Sequence, residues 1–133
     1  MLDAIAWAEA EKLVPLLVEE IVAPYGVHAQ VDYQRGVPPV VNDIPSIAQL
    51  GQAVERVLGP DGHVPTQQSL GGEDFGWYLD RVPGAMGRLG TRTPGGPTFD
   101  LHQGNLRVDD RAVAIGAKVL AHVAADTLHA STR

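Results

Sequence analysis

The sequence has 133 residues, 44% of them apolar, which suits one domain with a core of its own. A net charge of −6, with ten Lys and Arg scattered among sixteen acids, excludes a nucleic-acid surface, which needs a basic stripe. No apolar run reaches the roughly 20 residues of a membrane span; Asp3, Glu9 and Glu11 replace the basic and apolar start of a signal peptide, so the expected location is the cytoplasm, and the lack of cysteine excludes disulfides and thiolate-bound zinc.

Residues 3–23 predict a helix, with Asp3 as N-cap and Leu13, Leu16, Leu17, Val18, Ile21 and Val22 as its apolar positions. Pro15 lacks the amide hydrogen a helix needs and predicts a kink or restart. Pro24-Tyr25-Gly26 ends the helix, and the alternation in 27–34, "VHAQVDYQ", predicts a strand. The stretch "RGVPPVVNDIPS" is stiff and extended, and marks a boundary between structural units.

Asp43 caps a second helix with Ile47, Leu50, Val54, Val57 and Leu58 on one face and Gly59 at its end. In "SLGGEDFGWYLDRV", Gly71-Gly72 permit close backbone approach and Glu73-Asp74 open a short helix. "AMGRLGT", 85–91, predicts a buried strand. A Gly/Pro-rich loop then leads to "FDLHQGNLRVDD", and Asp109 caps a last helix carrying Val113, Gly116, Leu120 and Ala124. Helices alternating with two or three strands point to an α/β or α+β fold with a very small sheet.

His102 stands alone ahead of a run of acids. A catalytic metal centre takes about three protein ligands, and none of His28, His63, His122 and His129 forms a local chelating pair with it or with another histidine. Those four read as surface or helix-end residues. Glu73 and Asp74 could serve as paired carboxylates, but helix capping is the commoner role at that spacing. Trp77 and Tyr78 read as core aromatics beside Leu79. There is no phosphate loop, no dinucleotide fingerprint and no cysteine nucleophile.

Three stretches in order resemble the C-terminal part of the M20 family of metallopeptidases and amidohydrolases, in the amidohydrolase branch that cleaves N-acyl amino acids: "VDYQRGVPPVVND" at 31–43, "LGGEDFGWYLDRVPGAMGRLGT" at 70–91 and "LHQGNLRVDDRAVAIGAKVLA" at 101–121. The resemblance implies that 39–133 is the C-terminal part of a zinc-peptidase-like α/β (α+β) catalytic domain, preceded at 1–38 by the last helix and strand of an inserted lid and dimerisation domain. It implies that His102 is a metal ligand, that Gly71, Gly72 and Glu73 line the substrate pocket, and that the cofactor of the complete enzyme is a divalent metal, zinc or manganese. By the same resemblance the remaining ligands and the general-base glutamate belong to a half that would precede Met1.

Two functions follow as expectations. In one, the chain is part of an amidohydrolase of N-acyl amino acids, inactive in isolation, whose partner is a separately encoded N-terminal half or a second copy. In the other, it is a non-catalytic remnant or a binding or oligomerisation module. Neither involves nucleic acid or a membrane. Both leave helices shaped for a larger sheet, and hence exposed apolar surface.

Overall fold

A computed structural model describes residues 3–131. The chain divides into two compact units, one of residues up to 42 with Gln68–Gly84, the other of Asp43–Gln67 with the residues from Ala85 onward.

In the first unit, helix α1 spans Ala4–Val22. The Asp3 carboxylate accepts the Ala6 N–H at 2.8 Å and starts it. The helix runs unbroken through Pro15, so the expected restart does not occur. Pro15 forgoes the bond to the carbonyl four residues back, while Trp7, Ala10, Val14 and Val18 continue one inward face on both sides. A 3-10 turn at Ala23–Tyr25 follows, and Gly26, at φ 68°, closes it. Gly can take this left-handed conformation without a steric cost. Helix α3, Phe75–Leu79, completes the unit.

The second unit is built on α2, Ile44–Leu58, and α4, Arg111–Ser131. Asp43 caps α2 by accepting from the Ser46 N–H at 3.0 Å and the Ser46 hydroxyl at 2.7 Å. The Gly59 N–H donates to the Glu55 carbonyl at its other end. The two helices are tied side by side: the Gln49 amide donates to the Val123 carbonyl at 3.2 Å and to the Thr127 hydroxyl at 2.9 Å, and Arg56 pairs with Asp126 at 2.6 Å. Segment 85–91 lies against both. A Cβ on Gly87 would stand 3.0 Å from Leu50 of α2, and one on Gly116 of α4 would stand 3.1 Å from Leu89.

The expected α/β class is met only in its helices. Among the described residues there is no strand, and 27–34 and 85–91 are corrected to segments without regular secondary structure. The reason is physical: an alternating sequence becomes a strand only when its backbone groups pair with a neighbour, and residues 27–41 enter no backbone–backbone hydrogen bond among the described residues.

The core is correspondingly slight. The buried apolar side chains are those of Ala10, Ala53, Ala112 and Val119, with no large side chain fully buried among the described residues. Val113, Leu120 and Leu128 on α4 are 72%, 66% and 69% exposed. An amphipathic helix in a finished domain presents polar residues on its outer face, whereas α4 is apolar on both.

Candidate functional site

His102 sits in the loop between segment 85–91 and α4. The base of this loop is fixed by the Asp109 N–H donating to the Thr91 carbonyl at 2.8 Å. Within it, Arg92 donates to the Thr98 hydroxyl at 3.2 Å, Gln103 to the Asp100 carboxylate at 3.4 Å, and the Leu106 N–H to the Gln103 carbonyl at 3.1 Å. His102 is exposed and has φ 64°, the left-handed region that non-glycine residues seldom occupy. Such strain gathers where a side chain has to be aimed.

Asp109 anchors the loop to α4. Its carboxylate accepts from Nε and a terminal nitrogen of Arg111 at 2.9 and 2.6 Å, and from the Arg111 N–H at 3.0 Å. The side-chain bonds from Arg111, then its backbone N–H, with a smaller contribution from Thr93, hold the Asp109 carboxyl far below the usual carboxylate range. The Arg111 guanidinium is correspondingly shifted upward by Asp109.

Gly71, Gly72 and Glu73 belong to the first unit, and all three are exposed. The Gly71 N–H donates to the Ser69 hydroxyl at 3.1 Å. The Glu73 carboxylate accepts the Phe75 N–H at 3.3 Å and its carbonyl accepts the Gly76 N–H at 3.1 Å, so Glu73 opens α3. Asp74 makes no side-chain cap. Capping, the commoner role read from the sequence, is therefore the one Glu73 has here. Trp77 and Tyr78, read as core residues, are both exposed.

The remaining histidines have local surroundings of their own. The His63 ring packs 3.1 Å from where a Gly51 Cβ would stand, and His129 Nδ1 lies 2.7 Å from the Ala125 carbonyl oxygen. His28 and His122 are exposed. Among the described residues no three His, Cys, Asp or Glu side chains are grouped to hold a metal ion, so these residues do not fit a metal centre by themselves. No described helix is long and apolar enough to cross a membrane.

One cluster escaped the sequence reading. The Arg35 guanidinium lies 3.9 Å over the Trp7 ring and 3.3 Å from the Glu11 carboxylate, and Trp7 meets Trp77 edge-on with ring centres 5.8 Å apart. Trp7 Nε1 is buried without a hydrogen-bond partner among the described residues. No local pattern links residues 7, 35 and 77.

The family described as Peptidase family M20/M25/M40 matches residues 6–126. A Rhodococcus jostii protein named as a glutamate–cysteine ligase is 46% identical over 114 residues, 86% of this chain and 14% of that protein. An N-acetyldiaminopimelate deacetylase of Anoxybacillus flavithermus is 33% identical over 78% of this chain and 26% of its own length. An N-acetylcysteine deacetylase of Bacillus subtilis is 29% identical over 87% of this chain and 30% of its own. The chain thus spans less than a third of each of these relatives. No solved structure matches it.

Proposed function

Because the chain belongs to peptidase family M20/M25/M40, we propose that it is the C-terminal part of a metal-dependent amidohydrolase that cleaves the amide bond of N-acyl amino acids. The observation that carries this reading is the family match over residues 6–126, which takes in the His102 loop. Two relatives named as deacetylases of N-acetyl amino acids support the reaction type.

In this reading His102 supplies one ligand to a divalent metal, zinc or manganese, and a complementary N-terminal half supplies the others together with the general-base glutamate. An exposed imidazole, strained in its backbone and braced at the base of its loop, suits a ligand whose partners arrive from elsewhere. Gly71, Gly72 and Glu73 line the substrate pocket. Residues 1–38 derive from the lid and 39–133 from an α/β catalytic domain, whose sheet would need strands from that half. The isolated chain has no turnover, since one imidazole provides neither a base nor a metal centre. Water adds across the amide, leaving a carboxylate and a free amine.

For the amine product the relatives' names differ, one deacetylase being named for N-acetyldiaminopimelate and another for N-acetylcysteine, so both compounds are candidate substrates.

The test is co-expression of the chain with a polypeptide carrying the N-terminal part of an M20 amidohydrolase, followed by mass-spectrometric detection of free amino acid from N-acetylcysteine and N-acetyldiaminopimelate. Metal-dependent release that disappears in His102→Ala is expected. Failure of the two polypeptides to associate, or release indifferent to His102→Ala, would overturn the reading. The faster of the two reactions identifies the preferred amine product.

A further inference from the structure

We propose that Arg35 is a positioning residue for the Gly71–Gly72–Glu73 loop, acting from segment 27–42 through its contacts with α1; that this loop lines a pocket rests on the reading above. The loop is shaped by what it packs on. A Cβ on Gly72 would stand 3.1 Å from a Val37 methyl, and one on Gly76 would stand 2.6 Å from the Pro38 carbonyl oxygen. Trp77, one residue further on, rests edge-on against Trp7 of α1. Residues 37–38 and Trp7 are therefore two walls against which residues 72–77 are folded.

Those walls need an anchor of their own. Residues 27–41 have no backbone–backbone hydrogen bond among the described residues, so side chains hold this segment in place. Arg35 is suited to do so, because one guanidinium stacks on the Trp7 ring and pairs with Glu11, one helical turn along the same helix. It precedes Val37 by two residues. A planar, weakly hydrated guanidinium stacks face-on and pairs at its edge at once, a geometry that a compact, strongly hydrated ammonium lacks. Arg35 thus fixes Trp7 on one side and the Val37–Pro38 wall on the other, and the pocket loop inherits its shape from both.

The proposal is tested on the chain alone by hydrogen exchange, with near-ultraviolet circular dichroism reporting the Trp7–Trp77 pair. In Arg35→Met, exchange of the Gly76 and Trp77 amides, which are bonded to Glu73 and Asp74 carbonyls, should accelerate by about tenfold, the size of effect one partly shielded cation–π contact supplies. The tryptophan dichroism should weaken, while amides of α2 and α4 keep their rates. Arg35→Lys, which retains the charge for the ion pair but loses the planar stacking, should fall between. Three results would overturn the proposal: unchanged exchange at 72–77, equal acceleration in both units, or wild-type amides there that are already unprotected. None of them bears on the hydrolase reading, which is assayed only with the complementary half present.

Discussion

Gly76 and Pro38 touch through their backbones: a Cβ placed on Gly76 would lie 2.6 Å from the Pro38 carbonyl oxygen, and both residues are buried. This contact seats α3 on segment 27–42, and it explains a glycine inside a short helix, where glycine is otherwise unfavourable. Backbone cannot yield as the end of a side chain can. Gly76→Ala is therefore expected to destabilise the first unit by about 1–3 kcal/mol, the usual cost of overpacking. Urea unfolding followed by tryptophan fluorescence measures it, since Trp7 and Trp77 both lie in that unit. An unchanged midpoint would mean that the contact relaxes freely.

Asp109 predicts an acid limit to the stability of the second unit. Its carboxyl is held far below the usual range by Arg111, so the folded state binds this proton less readily than the unfolded one, whose value lies at about 3.9. The stabilisation is complete above that value and is lost as pH falls through the folded-state range. Thermal unfolding of wild type and Asp109→Asn should therefore differ at neutral pH and converge in strong acid. The gap should shrink only slightly between pH 8 and pH 5. A gap that closes near pH 6 would point to a histidine instead.

How much was legible in the sequence divides along physical lines. Caps depend on near neighbours, so Asp3 and Asp43 were readable as helix starts and Gly59 as a helix end, and these three act so, whereas Asp109, expected as the cap of the last helix, accepts the Arg111 N–H from two residues back, one position outside the cap. Strands depend on partners, and the alternation of 27–34 says nothing about whether a pairing edge exists. The loop strain at His102 has no signal in a string of letters, because histidine is not a residue that requires positive φ. Arg35 was passed over for a related reason: its partners Trp7 and Glu11 are 28 and 24 positions away, beyond any periodicity.

His102 should be a residue whose backbone conformation costs stability. At φ 64° the Cβ crowds its own backbone, and His102→Gly removes that crowding while making the unfolded chain more flexible. The net expectation is a gain of up to about 1 kcal/mol in chemical unfolding, together with loss of metal-dependent turnover in the reconstituted enzyme. His102→Ala, which keeps the strain and loses the imidazole, should lose turnover without the gain. If His102→Gly proved as destabilising as a core truncation, the loop would be held by imidazole contacts and the strain argument would fail.

The outer face of α4 carries the last prediction. Val113, Leu120 and Leu128 lie about two turns apart along it and are mostly exposed, with Ala117, Ala121 and Ala124 between them. A soluble protein seldom leaves so continuous an apolar row in water, so the purified chain should self-associate with rising concentration. Light scattering after gel filtration reads this directly. Leu120→Glu interrupts the row at its middle without touching the inward face of Ala112 and Val119, so it should shift the chain toward monomer and leave helix content unchanged. It should also weaken capture of a complementary M20 half if that half covers the same face, whereas Lys118→Glu, at the edge of the row, should do neither to the same extent. A wild-type chain that stays monomeric at high concentration, with Leu120→Glu indistinguishable from it, would show that water tolerates this face and that no partner is needed to cover it.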